Sequence, residues 1–259
     1  VCPTPLFCFG ALGDAGVYSP IRTHTAREEV ATTFTVTWLG HAAFSLDMDG
    51  VKVLIDPFLF GNPLSPISAD EVEADYIVIT HGHGDHVGDS VAISKRTGAP
   101  TISNVEVSKW LSGQGVQDAK GMNTGGGGEF EFGRLELTIA FHSSSLPDGS
   151  YGGMPNGVIL TSKDGKRFYH PGDTALFGDM RLIGDKGIDF TALPIGGWYT
   201  MGPQDALRAV ELIRPKAVMP MHYSTFPAIQ VDAAAWAEEV RQKTSVQVVV
   251  LKPGEAYAL

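Results

Sequence analysis

The sequence predicts an α/β protein of two similar halves, each a sheet with helices on one side. Three observations predict it. Hairpin patterns open each half, alternating strand and helix patterns follow each set, and histidines recur where strands end.

In the first half, residues 34–39, 43–48 and 51–55 alternate or cluster as strands. Asp49-Gly50 between the last two is a strong hairpin turn. Asp56-Pro57 closes the third strand. Residues 76–80, Tyr-Ile-Val-Ile-Thr, are an apolar run that reads as a short buried strand. Residues 87–96 are expected as a helix, 100–103 as a strand and 105–111 as a second helix.

In the second half, residues 129–132 and 134–141 read as a hairpin with Gly133 in its turn. Residues 158–161 and 167–169 form another around Asp164-Gly165. A buried strand at 188–193 follows. Residues 203–213 are a helix with Pro203 in its first turn and Ala206, Leu207, Val210 and Ile213 on one face. A strand at 216–219, a helix at 232–242 and a strand at 246–251 complete the order. Composition marks no linker between the halves, so residues 33–259 are read as one compact domain and 1–32 as an extension of unknown role.

The chain has 259 residues, 43% hydrophobic and 19% charged, as expected for a globular protein with a sizeable core. Its net charge of −10 opposes binding of a long nucleic acid. No apolar run reaches the length of a membrane span. The expected setting is cytoplasmic, and self-association into a homo-oligomer is compatible with this composition. Cys2 and Cys8 are the only cysteines, so residues 33–259 have neither a disulfide framework nor a thiolate ligand set. Spacing does not decide whether they pair. Residues 1–32 lack the basic start of a signal peptide.

The most informative segment is His81-Gly82-His83-Gly84-Asp85-His86, directly after the run at 76–80. Its glycines allow a tight turn as the chain leaves the strand. Three imidazoles and a carboxylate emerge together, a donor set suited to zinc, manganese, iron or nickel and not to calcium or magnesium. The chain has eight histidines, and three of them fall within these six residues. His142, His170 and His222 each follow a predicted strand, and Asp173 lies three residues beyond His170. Gly125 to Gly128 lack the Lys-Ser/Thr of a phosphate-binding loop and read as a flexible hairpin loop. Ser143 to Ser145 have no Gly-x-Ser-x-Gly elbow around them, which argues against serine catalysis.

These motifs resemble the metallo-β-lactamase-fold superfamily, marked by His-x-His-x-Asp-His followed by a His, an Asp and a His at later strand ends. Further matching segments are Trp38 to Phe44, Ile55 to Phe58, Gly172 to Met180, Pro194 to Gly197 and Pro220 to Tyr223. Within the superfamily the chain is most similar to a family of metal-dependent hydrolases without an assigned substrate. Ascorbate-phosphate lactonases and the phospholipase D-type N-acylethanolamine enzymes are more distant.

The resemblance implies a four-layer αβ/βα sandwich and two divalent metal ions, zinc first, with Mn²⁺, Ni²⁺ or Fe²⁺ tolerated. It implies that His81, His83 and His142 hold one ion, that Asp85, His86 and His222 hold the other, and that Asp173 bridges them. Asp56 would brace the histidine loop, and His170 would have a structural or bracing part. A hydroxide at such a centre is the expected nucleophile, with Asp85 among the catalytic residues. His41 and Tyr223 are candidate donors to the leaving group or oxyanion, each equally readable as packing. Residues 196–202, with Trp198, Tyr199 and Met201, could line a cleft wall or simply pack as a loop.

Two ions and two aspartates leave a net positive site, which favours a small anionic substrate. The leading expectation is a small phosphodiester or an ester-like bond. A lactone or an amide, β-lactams included, is the alternative. A non-hydrolytic metal or redox protein is the second alternative.

Overall fold

The computed structural model describes residues 33–259. The extension at 1–32, with Cys2, Cys8 and His24, lies outside the described residues. The first sheet has seven strands. Phe34–Trp38 (β1), Phe44–Met48 (β2) and Val51–Ile55 (β3) form its antiparallel part. Tyr76–Val78 (β4), Thr101–Asn104 (β5) and Ala119–Met122 (β6) continue it in parallel.

The second sheet, also of seven strands, starts from Gly127–Phe130 (β7), Gly133–Ile139 (β8), Asn156–Thr161 (β9) and Arg167–His170 (β10), all antiparallel neighbours. Phe190–Pro194 (β11), Ala217–Met221 (β12) and Gln247–Val248 (β13) complete it in parallel. The last strand, Ala256–Ala258 (β14), pairs antiparallel with β1, so the chain end returns to the first sheet.

Three apolar clusters explain the layering. The central one joins Val36, Phe44 and Leu46 of the first sheet to Leu137, Leu160, Phe168 and Phe190 of the second. Another covers the outer face of the first sheet with Ile93, Val107 and Leu111. These come from the helices Ser90–Thr97 (α2) and Val105–Gly113 (α3), which follow the single turn Gly84–Val87 (α1). The third lies under Met180–Gly184 (α4), Pro203–Ile213 (α5) and Ala233–Lys243 (α6). The result is the predicted four-layer αβ/βα sandwich.

Several local expectations are corrected. The helix expected at 87–96 is two pieces, α1 and α2, with Gly88 between them. Gly88 has φ +45°, and a Cβ there would lie 2.3 Å from the Pro57 carbonyl oxygen, so the chain turns where only glycine fits. Asp89 then accepts from the Leu59 and Phe60 amides at 2.9 and 2.8 Å. Gly127 and Gly128 are not loop: they pair with Glu136 and Leu135 as the start of β7. The strand expected at 246–251 shrinks to β13, because the chain leaves it to cross to β1.

Candidate metal centre

The loop at 81–86 begins where β4 ends, and a buried aspartate at the end of β3 holds it. Asp56 accepts from the Thr80 amide at 2.8 Å, the Thr80 hydroxyl at 2.7 Å and His86 Nδ1 at 2.7 Å. The Thr80 hydroxyl has one proton, and Asp56 takes it. The 3.0 Å contact between Thr80 Oγ1 and His81 Nδ1 therefore has the imidazole as donor. Asp56 thus sets two tautomers, directly for His86 and through Thr80 for His81. This leaves an Nε2 lone pair facing inward on His81, and on His86 it makes Nε2 the atom from which a metal would displace the proton.

The other donors arrive from strand ends. His142 follows β8, Asp173 follows β10 through Pro171-Gly172, and His222 follows β12. Gly172 has φ +63°, and a Cβ there would meet the Asn156 carbonyl oxygen at 2.6 Å. His41, Asp56 and His222 all take left-handed φ values of 55°, 44° and 53°. Such strain costs roughly 1–3 kcal/mol per residue and gathers at functional sites.

Ligand atoms of His81, His83 and His142 lie within 4.8 Å of one another, as do those of His41, Asp85, His86 and His222. Asp173 faces both groups. Its Oδ2 is 3.5 Å from His142 Nε2 and 3.1 Å from His222 Nε2, and its Oδ1 is 3.3 Å from His86 Nε2. His81 Nε2 and His83 Nδ1 are 3.0 Å apart. Two ligands each about 2.0–2.1 Å from a tetrahedral zinc stand about 3.3 Å apart, so these spacings fit a metal shell. His86 Nε2, Asp173 Oδ1 and both His222 ring nitrogens are buried without a hydrogen bond. Buried polar atoms without partners are rare unless an ion or water serves them.

The electrostatics agree. Burial opposes charge on His86, but Asp173, Asp56 and Asp85 outweigh it and hold its pKa well above the ordinary value. Burial would likewise raise the carboxyls of Asp173 and Asp85. For Asp173, His222 and His86 reverse this, and for Asp85, His86 and the His41 hydrogen bond do, so both stay ionised. A field that keeps a proton on a buried imidazole also favours a divalent cation. Burial and the charge on His86 push His81 well below its usual value, leaving it a neutral ligand.

A cavity of about 550 Å³ opens over this cluster, lined by His83, Gly84, Asp85, His142, Ser143, Asp173, Tyr199, His222 and Phe226. Neither candidate proton donor lines it. His41 is fully buried, with Nε2 at 3.1 Å from Asp85 Oδ2 and Nδ1 at 2.8 Å from Thr225 Oγ1. Tyr223 stacks on Trp38 with ring centroids 5.7 Å apart. Tyr199, from the segment with two readings, does reach the cavity. His170 sits apart from the donors: its Nδ1 accepts from the Gly172 amide and its Nε2 donates to the Ala42 carbonyl, both at 3.0 Å.

Sequence reasoning missed Thr80, Thr225, Ser143 and Phe226. Ser143 Oγ lies 3.3 Å from His83 Nε2. Closeness in sequence to the predicted ligands His81, His142 and His222 was the only available signal, and it does not give direction.

Comparison with known proteins decides the family. A domain model described as a β-lactamase superfamily domain matches residues 35–222. A UPF0173 metal-dependent hydrolase of Thermus thermophilus is 51% identical over 224 residues, covering 86% of this chain and 98% of its own. The chain belongs to this family of metal-dependent hydrolases. A Methanopyrus kandleri relative of the same description is 48% identical over 227 residues, covering 86% of this chain and 98% of its own. Among solved structures, a metallo hydrolase from Ignicoccus hospitalis superposes with TM-score 0.80 at 40% identity, covering 88% of this chain and 99% of its own. The hydrolase also shares its fold with an isothiocyanate hydrolase from Delia radicum gut bacteria, at TM-score 0.69, 20% identity and coverage of 87% and 98%. Among the described residues of the hydrolase, no helix is long and apolar enough to cross a membrane.

Proposed function

We propose that this hydrolase cleaves a small ester-like bond at a dinuclear metal centre. The observation that carries the reading is Asp173, whose two carboxylate oxygens face both donor groups. In this reading His81, His83 and His142 hold one ion, and Asp85, His86 and His222 hold the other. The nitrogen-rich set suits Zn²⁺ first and tolerates Mn²⁺, Ni²⁺ and Fe²⁺. Bound there, two divalent ions would lower the pKa of a water toward neutrality and would polarise the oxygen of the bond under attack.

The protein's part is orientation. Asp56 fixes the lone pairs of His81 and His86, and Asp173 supplies the shared charge. His41 acts through Asp85 and not on the leaving group. Burial, partly offset by the Asp85 hydrogen bond, lowers its pKa to about 4, so it is neutral at pH 7. With the Thr225 hydroxyl donating to Nδ1, Nε2 carries the proton and donates to Asp85. His41→Ala should weaken metal binding at the Asp85 group by roughly 10–100-fold, and His41→Gln should restore most of it through its amide N–H. Metal titration of the folded variants reads this. A Gln variant as weak as Ala would make His41 a ligand instead of a donor.

Among the described residues, no Lys or Arg lines the cavity. An anionic substrate would have only the metals to neutralise it, so an uncharged carboxylic ester or lactone leads. The phosphodiester is the second reading, favoured by the net positive metal site. Purified, metal-loaded protein should be offered p-nitrophenyl butyrate, a δ-lactone, bis(p-nitrophenyl) phosphate and a chromogenic cephalosporin. Turnover of the ester or lactone, lost on chelation and restored by Zn²⁺ or Mn²⁺, is expected. Turnover of the phosphodiester alone would replace the leading reading. No turnover of any of them with both metals bound would remove ester-like bonds altogether.

A further inference from the structure

Beside the metal cavity lies a second cleft of about 530 Å³, and the two share His142 and Ser143 as a common wall. Three large apolar side chains stand exposed along it: Phe141 at 54%, Tyr151 at 70% and Met154 at 53%. Exposed apolar side chains gathered in one place mark binding surfaces more often than scattered ones do. Among the described residues, no Lys or Arg lines this cleft either. Asp148, next in sequence to the lining residues Gly149 and Ser150, is acidic and is held by Ser150 and by Trp110 Nε1 at 2.8 Å.

The exposure is not that of a loose loop. The Leu146 amide donates to the Ser150 carbonyl and the Gly152 amide to the Ser144 carbonyl, both at 2.8 Å. Asn104 Nδ2 donates to the Gly152 and Met154 carbonyls at 2.7 and 2.9 Å. The Gly82 amide, inside the metal-binding loop, donates to Ser144 Oγ at 3.0 Å. Leu146 is buried beneath. The backbone is fixed to the metal loop while its apolar side chains face solvent, as in a preformed subsite. On the far side Phe141 meets Phe177 edge-on, with centroids 5.3 Å apart.

We propose that this cleft binds the uncharged apolar arm of the substrate, an aromatic ring or a medium-length alkyl chain, while the scissile bond lies over the metal ligands. The inference rests on the proposed ester-like hydrolysis and narrows it to neutral esters or lactones with one apolar arm. Its volume falls in the range of small-molecule sites, about 300–1,000 Å³, which accommodates a phenyl ring or a six- to eight-carbon chain.

Two measurements on the metal-loaded protein separate this inference from the reading beneath it. The first needs no turnover. Octan-2-one and 4-phenylbutan-2-one, neutral and unreactive to hydrolysis, should bind and shift the NMR signals of residues 141–154. Tyr151→Ser and Met154→Ser should each weaken that binding several-fold. The second uses p-nitrophenyl esters from acetate to octanoate. Each added methylene should raise kcat/KM about three- to fourfold until the cleft is full, from the transfer free energy of one buried CH₂. That slope should flatten in both variants.

Ketone binding at 141–154 without ester turnover would keep the apolar subsite and reject ester hydrolysis. Ester turnover with no chain-length slope and no ketone shifts at these residues would overturn the subsite. A wild-type dimer that Tyr151→Ser converts to monomer would also overturn it, because the patch would then be covered by a second copy.

Discussion

Asp173→Ala will lose at least one metal ion and lower activity by roughly 10³-fold or more, the consequence of several kcal/mol of lost charge stabilisation. The residue is 2% exposed and faces histidines of both donor groups. In the proposed dinuclear reading its carboxylate would neutralise both ions, and among the described residues no other acid of the cluster pairs with His142. In the metal-free protein the same substitution removes the main counter-charge of His86, whose raised pKa depends on Asp173 more than on Asp56 or Asp85. Asp56 stays bonded to His86 Nδ1 at 2.7 Å, so the charge keeps one partner and loses its larger one, and the alanine variant should melt earlier in the metal-free state. Asp173→Asn keeps the shape without the charge and separates the two effects. Metal content by plasma emission spectroscopy and folding by circular dichroism read the outcome. An Asn variant that keeps both metals and wild-type turnover would reject the bridging role.

Much of the fold was legible because its elements are locally determined. Residues 34–55 alternate and carry Asp49-Gly50, so β1, β2 and β3 and their register follow from adjacent residues. Helix α5 begins at Pro203 and keeps its apolar face to Ile213, as predicted. The elements missed have weak local signals. Strand β6, Ala-Lys-Gly-Met, is half-buried and sits at a sheet edge, where neither alternation nor branched residues announce it. Strand β14 has three residues, and only its pairing with β1 makes it a strand. Helix α4 is five residues long, too short for periodicity to register.

The site shows the same division. His81, His83, Asp85 and His86 are contiguous, and their density within six residues made them readable. His142, Asp173 and His222 were readable as strand-end residues once the superfamily resemblance gave them partners. The directions of side chains were not readable. His41 and Tyr223 both lie near the donors in sequence pattern, yet one is enclosed between Asp85 and Thr225 and the other stacks on Trp38. Trp198, Tyr199 and Met201 lie within four residues, yet Met201 is buried in the core, Trp198 is 82% exposed and Tyr199 lines the cavity. Spacing along a loop carries no period, so sequence cannot divide such residues between core and cleft.

Asp56 allows the sharpest test of orientation, because alanine and asparagine should fail for different reasons. Its Oδ1 accepts from the Thr80 amide, while its Oδ2 accepts from both the Thr80 hydroxyl and His86 Nδ1. Asp56→Ala removes both acceptor oxygens and all three hydrogen bonds. It should weaken metal binding roughly 10–100-fold, as loss of a residue that orients ligands does. Asp56→Asn can keep Oδ1 on the Thr80 amide and also tolerates the left-handed backbone at this position, φ 44°. Its NH₂ then replaces Oδ2 and donates to His86 Nδ1. The His86 proton moves to Nε2, the atom that must be a lone pair to bind a metal. Asparagine should therefore fold better than alanine yet bind metal at the His86 group no better. Competition against a chromophoric chelator gives the affinity, and thermal melting gives the stability. An asparagine variant with wild-type metal affinity would mean that His86 does not ligate through Nε2, and the role given to Asp56 would fall with it.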